Sequence, residues 1–282
     1  MKRIVTGALF LAWMVSAASA QEPEKVELKW NFKGNPSLRY ELITRTEVND
    51  MKQEMMFGME QKVIEIDAEG VAVVKYTFDR VRVSVSGTNG AGDVEYDSDK
   101  DKDKGELDGP AKILSTFVGA SYRAKFSPHG ETLDIMGMKE MFAKMLEGRD
   151  EETVQMIKAM EGNFTDESMK QMMGGGARTL PLKAVAVGDS WTSSLTQKNP
   201  ALGDVVTKSD YTLKAIRSES AEALIGVEIE MKSDAVGVAG PSLEEGSGTG
   251  KILWDLKRGV LLKSEATISM TMAMGEQKFV TK

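Results

Sequence analysis

The chain has 282 residues, with 36 Lys and Arg against 43 Asp and Glu, a single His and no Cys. Without Cys there is no disulfide framework, thiolate zinc site, iron–sulfur cluster or cysteine nucleophile, and one imidazole excludes a multi-His metal site. A net charge of −7 and a pI near 5.1 run against nucleic-acid binding, which needs a basic footprint.

Met1-Lys2-Arg3 opens the chain with positive charge, Ile4 to Val15 is mostly apolar, and Ala18-Ser19-Ala20 precedes Gln21. This is the pattern of a secretory signal peptide with an A-x-A cleavage site, so residues 1–20 are expected to be removed. The apolar run falls well short of the ~20 residues a membrane-spanning helix needs, and no later segment is long and apolar enough. Cleavage would leave residues 21–282, move the net charge from −7 to −9, and place a soluble protein in the periplasm or outside the cell.

Residues 21–136 read as a first β region. Val26, Leu28, Trp30 and Phe32 alternate with polar residues, the period of a half-buried strand, and Leu38, Tyr40 and Leu42 repeat it. Val63–Ile66 and Val71–Val85 flank Asp67-Ala68-Glu69-Gly70, a hairpin turn. Between Asp93 and Asp108 eight acids meet three lysines, but no register places Gly and a terminal acid where a calcium loop requires them. A solvated loop is the expectation there. His129, in Ser127-Pro128-His129-Gly130, occupies a turn sequence.

Residues 137–178 read as a helical insertion ending in a glycine hinge. Met138, Met141, Phe142, Met145 and Leu146 fall on one helix face. A second helix follows Asp150 as N-cap, and a third follows Thr165, with Gly174-Gly175-Gly176 expected to end it. Nine of the nineteen methionines lie between Met136 and Met173.

Residues 179–282 form a second β region, with strands at Tyr211–Ile216, Ala223–Met231, Ile252–Leu256 and Val260–Met274. Short turns impose antiparallel pairing. Met270, Met272 and Met274 share a face of the last of these. Gly246-Ser247-Gly248-Thr249-Gly250 runs into a strand, so it is no phosphate loop. The two β regions carry traces of a duplication in which Tyr40 matches Trp191, Val63 matches Leu213 and Phe126 matches Trp254. A rival register matches Val118–Tyr122 with Val187–Trp191.

Tyr96-Asp97-Ser98, Gly119 to Tyr122, Phe126 to Gly130, Gly188-Asp189-Ser190-Trp191 and Trp254-Asp255-Leu256-Lys257-Arg258-Gly259 occur in this order behind the export signal. That series resembles a family of exported bacterial proteins classed only as a domain of unknown function, which implies a β-rich secreted fold and no chemistry. The layout is also similar to periplasmic lipoprotein carriers of the half-barrel type, by analogy of fold alone.

The expectation is an α+β protein, mainly antiparallel β, built as a curved sheet or half-barrel or as two related β halves with a Met-rich helical insertion. Thioethers are adaptable apolar fillers, so a lipid or acyl chain would lie between Met138, Met141, Phe142 and Met145 on the helix and Met270, Met272 and Met274 on the strand. No catalytic residue, metal or cofactor is assigned. The alternative is a scaffold that meets an envelope protein through strand edges or the acidic loop. An envelope hydrolase and Cu(I) binding by methionine rank below both.

Overall fold

Alternating apolar and polar positions in both β regions become long strands in the computed structural model, which describes residues 24–87, 93–101, 109–162, 164–177, 180–199, 203–232, 242–274 and 277–281. The segment read as an export signal lies outside the described residues. In chain order the elements are β1 (Lys25–Val26), β2 (Ser37–Val48), β3 (Met51–Ile66), β4 (Ala72–Ser86), β5 (Val94–Asp97), helix α1 (Gly109–Ser115), β6 (Ser121–Phe126) and β7 (Thr132–Met136). Three helices follow: α2 (Met138–Leu146), α3 (Glu151–Glu161) and α4 (Asp166–Ala177). The chain continues with β8 (Val185–Ala186), β9 (Ser190–Asn199), β10 (Gly203–Arg217), β11 (Ser220–Lys232), β12 (Ser242–Asp255), β13 (Val260–Met274) and β14 (Gln277–Thr281).

The architecture is α+β and mainly antiparallel. A twelve-stranded sheet runs β7-β6-β4-β3-β2-β14-β13-β12-β11-β10-β9, with β5 paired to β4 beside that path, and β1 pairs separately with β8. The sheet consists of two consecutive runs, β2 to β7 and β9 to β14, joined where Thr281 pairs with Val48. Both runs progress around the sheet in the same sense. Tyr40 and Trp191 therefore fall on the first strand of each run, Val63 and Leu213 on the second, and Phe126 and Trp254 on β6 and β12. The rival register has a local cause: Gly119 (φ 83°) and Gly188 (φ 96°) both turn the chain just before a strand begins.

Helix α4 packs against both β7 and β9, the end strands of the sheet. The sheet therefore rolls until its ends face one helix. On its inner face, Ala72, Ala120 and Ala124 leave room for Met138, Met141, Phe142 and Met145 of α2 and Ile157 of α3 to pack closely. Phe142 and Met145 are 1% exposed and Ile157 is fully buried, each burial stabilising by roughly 1.5–3 kcal/mol. Asp150 caps α3 by accepting from the Thr153 N–H at 3.1 Å. The start of α2, where Gly137 has no side chain to cap, is served by Asp166 of α4, which accepts from the Met138 N–H at 2.9 Å.

The second run has its own core of Leu28, Leu180, Val185, Leu213, Ala221 and Trp254. Trp30 packs on this cluster and on the first, so residues 27–36 bridge the two.

The structure departs from the sequence reading in four places. The alternating stretch from Val26 to Phe32 is strand only at Lys25–Val26; beyond it Leu28, Trp30 and Phe32 fill the two cores rather than pairing in the sheet. Gly174 to Gly176 belong to α4 and do not end it; packing on two strands outweighs a helix cost of about 1 kcal/mol per glycine. Helix α1 was not foreseen, because it covers only a small cluster of Val83, Tyr96 and Ala111. The acidic stretch does not begin as a solvated loop. Asp97 and Ser98 are buried, and Arg80 donates to Asp97 from Nε at 3.1 Å and from a terminal nitrogen at 2.6 Å. Residues 102–108 of that stretch lie outside the described residues.

Candidate functional site

A cavity of about 220 Å³ lies on the inner face of the first run, walled by Trp30, Phe32, Gln61, Tyr76, Phe126, Gly130, Thr132 and Met173. Strand pairing places these residues. Tyr76 of β4 is opposite Gln61 of β3 and Tyr122 of β6, and Ala72 is opposite Phe126. Alternation along β3 puts Gln61 on the same face as Met59 and Val63. The segment before β2 supplies Trp30 and Phe32, and α4 supplies Met173.

The wall is a continuous run of rings. Trp30 stacks on Phe32 at 5.9 Å between centroids, Phe32 on Phe126 at 6.2 Å, and Tyr76 on Tyr122 at 5.3 Å. Tyr76 meets Phe126 edge-on at 6.2 Å, which links the stacks. These offset and edge-on arrangements match the aromatic quadrupole and leave flat surface for another ring or chain.

Its polar groups are few. The Tyr76 hydroxyl donates to Gln61 Oε1 at 3.3 Å, the Thr132 hydroxyl to the Met173 carbonyl at 3.3 Å, and the neighbouring Tyr122 hydroxyl to Met173 Sδ at 3.7 Å. No charged side chain lines the cavity among the described residues. Burial pushes the Tyr122 hydroxyl up to about 12 and drives that of Tyr76 upward as well, so both stay neutral donors. The Tyr40 hydroxyl, also raised to about 12 by burial, has no hydrogen-bond partner among the described residues.

The methionines named from the sequence lie elsewhere. Met138, Met141, Phe142 and Met145 belong to the buried cluster that also includes Phe32 and Phe126 but do not line the cavity, and the methionine in its wall is Met173. Met270 and Met272 are half-buried on β13, opposite Thr281 and Phe279 of β14; of Met274 only the backbone is described. Among the described residues, the core around α2 includes nothing from β13. The cavity residues carried one faint signal: Gln61 interrupts the apolar series Phe57, Met59, Val63 on one strand face.

The chain belongs to a family of unknown function, DUF6263, whose profile matches residues 69–261. The matched region holds β6, β7, α4 and the strands of the second run as far as the start of β13, and with them Tyr76, Phe126, Thr132 and Met173 of the cavity. No curated protein matches the chain.

Proposed function

Because membership of that family assigns no activity, we propose from the cavity itself that the protein binds a compact apolar ligand without transforming it. The observation that carries this reading is an aromatic cavity of about 220 Å³ in the inner face of a rolled sheet, with α4 as one wall. An apolar cavity of about 150 Å³ is enough to bind benzene, so the space suits one or two fused rings or a short acyl segment. It does not suit a lipid with several long chains.

On this reading Met138, Met141, Phe142 and Met145 act as adaptable packing outside the wall, able to resettle around ligands of different outline. The signal-like segment at residues 1–20 would direct the protein to the periplasm or beyond, and N-terminal sequencing of the exported form is expected to begin at Gln21.

The test is native mass spectrometry on full-length protein purified without detergent from its own source. A discrete added mass, lost on solvent extraction, is the expected result. A clean apo mass together with unchanged tryptophan fluorescence on adding naphthalene-class hydrocarbons would remove the reading.

A further inference from the structure

The geometry points to a ligand that is uncharged, planar and equipped with a carbonyl-type acceptor held by Gln61. This rests on the apolar-ligand reading above and narrows it to a chemical class.

Gln61 is 3% exposed, and it is the one amide in a wall whose other polar side chains are the hydroxyls of Tyr76 and Thr132 among the described residues. Its side chain has one protein partner among the described residues, Tyr76. The other end of the amide faces the cavity with none. The amide nitrogen is open to the cavity, where a ligand atom can take its hydrogens in place of water. With Tyr76 donating to Oε1, both Nε2 hydrogens are uncommitted, so donor hydrogens are in surplus at this point of the wall.

The neighbouring polar groups do not absorb that surplus. Thr132 donates to the Met173 carbonyl, and Tyr122 gives its proton to the Met173 sulfur. Among the described residues no protein acceptor takes the Gln61 amide hydrogens.

Charge narrows the class further. With no Lys, Arg or His in the wall among the described residues, a carboxylate would lose its hydration and gain no counter-ion, whereas a ketone, ester or quinone oxygen gives up little water. The ring stack from Trp30 through Phe32 and Phe126 to Tyr76 favours a flat body behind that oxygen.

Three probes of nearly equal size separate the elements of this inference: 2-acetylnaphthalene, 2-ethylnaphthalene and 2-naphthoate. Each is titrated into the full chain and followed by tryptophan quenching and calorimetry. The ketone is expected to bind about tenfold tighter than the hydrocarbon, with the carboxylate weakest. In Gln61→Leu the ratio of ketone to hydrocarbon affinity is expected to fall from about ten to about one.

Equal affinity for ketone and hydrocarbon in the unaltered protein overturns the inference and leaves the apolar-ligand reading standing; it would mean that Gln61 is satisfied by ordered water. Tightest binding of the naphthoate overturns it as well. Failure of all three to bind removes the apolar-ligand reading itself. The three-probe comparison needs no variant, so a Gln61→Leu protein that fails to fold does not blunt it.

Discussion

Trp30 stands edge-on to Trp254, with ring centroids 4.9 Å apart and planes at 79°, while Phe32 stacks on Phe126 at 6.2 Å. One short segment thereby holds β12 with one side chain and β6 with another. Its backbone joins in: the Asn31 N–H donates to the Gly259 carbonyl at 2.9 Å, and the Asn35 amide donates to the Arg258 carbonyl at 2.8 Å. The segment is a second clamp between strand runs whose sheet pairing meets at β14 and β2. Trp30→Ala is expected to cost about 3 kcal/mol. Urea unfolding followed by circular dichroism measures it, and a split into two transitions would show the runs parting company.

Two glycines separate backbone strain from crowding. Gly259 has φ 64°, and a Cβ there would lie 2.8 Å from Asn31 Cβ and 2.9 Å from the Lys29 carbonyl. Gly188 has φ 96° with nothing within 4 Å of the same position. Gly188→Ala is expected to cost about 1–2 kcal/mol from the left-handed backbone alone. Gly259→Ala should cost clearly more, because it also pushes the bridging segment off its turn. Equal losses in thermal melts would deny that the contact matters.

Tyr40 and Tyr122, both raised to about 12 by burial, contribute to the alkaline limit together with Tyr76, which burial also raises. A group whose folded value lies above its unfolded value near 10 stabilises the fold fully below that value and loses the contribution as pH climbs toward 12. Stability should therefore fall above about pH 10. Tyrosinate absorbance should rise together with unfolding rather than ahead of it. Tyr40→Phe should soften the decline, and at neutral pH should preserve or raise the melting temperature by removing a hydroxyl without a partner among the described residues.

Asp97 works in the opposite direction. Hydrogen bonds from Arg80 hold its carboxyl below the usual range, so its contribution is present above the unfolded value and is lost as pH falls through the folded one. Asp97→Asn is expected to be less stable at neutral pH, and the gap should close in acid. A gap independent of pH would place the effect in packing rather than ionisation.

Met145 distinguishes packing from contact with a ligand. Met145→Leu should cost under about 1.5 kcal/mol and Met145→Ala about 2–5 kcal/mol, since the side chain is 1% exposed. Affinity for 2-ethylnaphthalene should be unchanged in the leucine variant, measured by the same quenching titration. A large loss there would bring α2 into the wall.

Most of the fold was legible because period-two alternation and glycine turns act locally: Gly70 (φ 81°) closes the hairpin of β3 and β4 where Asp67 to Gly70 announce it. The helix face of Met138, Met141, Phe142 and Met145 was equally plain, since one residue in three or four is enough to mark it. The cavity was not. Trp30, Gln61, Phe126 and Met173 are spread over the chain and meet only after the sheet has rolled, and nothing local separates a ring in a wall from a ring in a core. Methionine abundance drew attention to α2, where density of thioethers reflects close packing on a floor of alanines. The continuation of α4 through three glycines was hidden for a related reason, because its support comes from β7 and β9.

The pairing of Val48 with Thr281 lies at the middle of the sheet but nearly spans the described chain. Neighbouring hairpins close small loops and can form early, whereas this pair closes a very large one, at an entropic cost that grows with loop length. Until it forms, β2 and β14 each present an open edge to any other extended strand. Refolding should thus have a slow final phase that joins two finished runs, and dilution during that phase should decide how much of the chain is recovered as monomer.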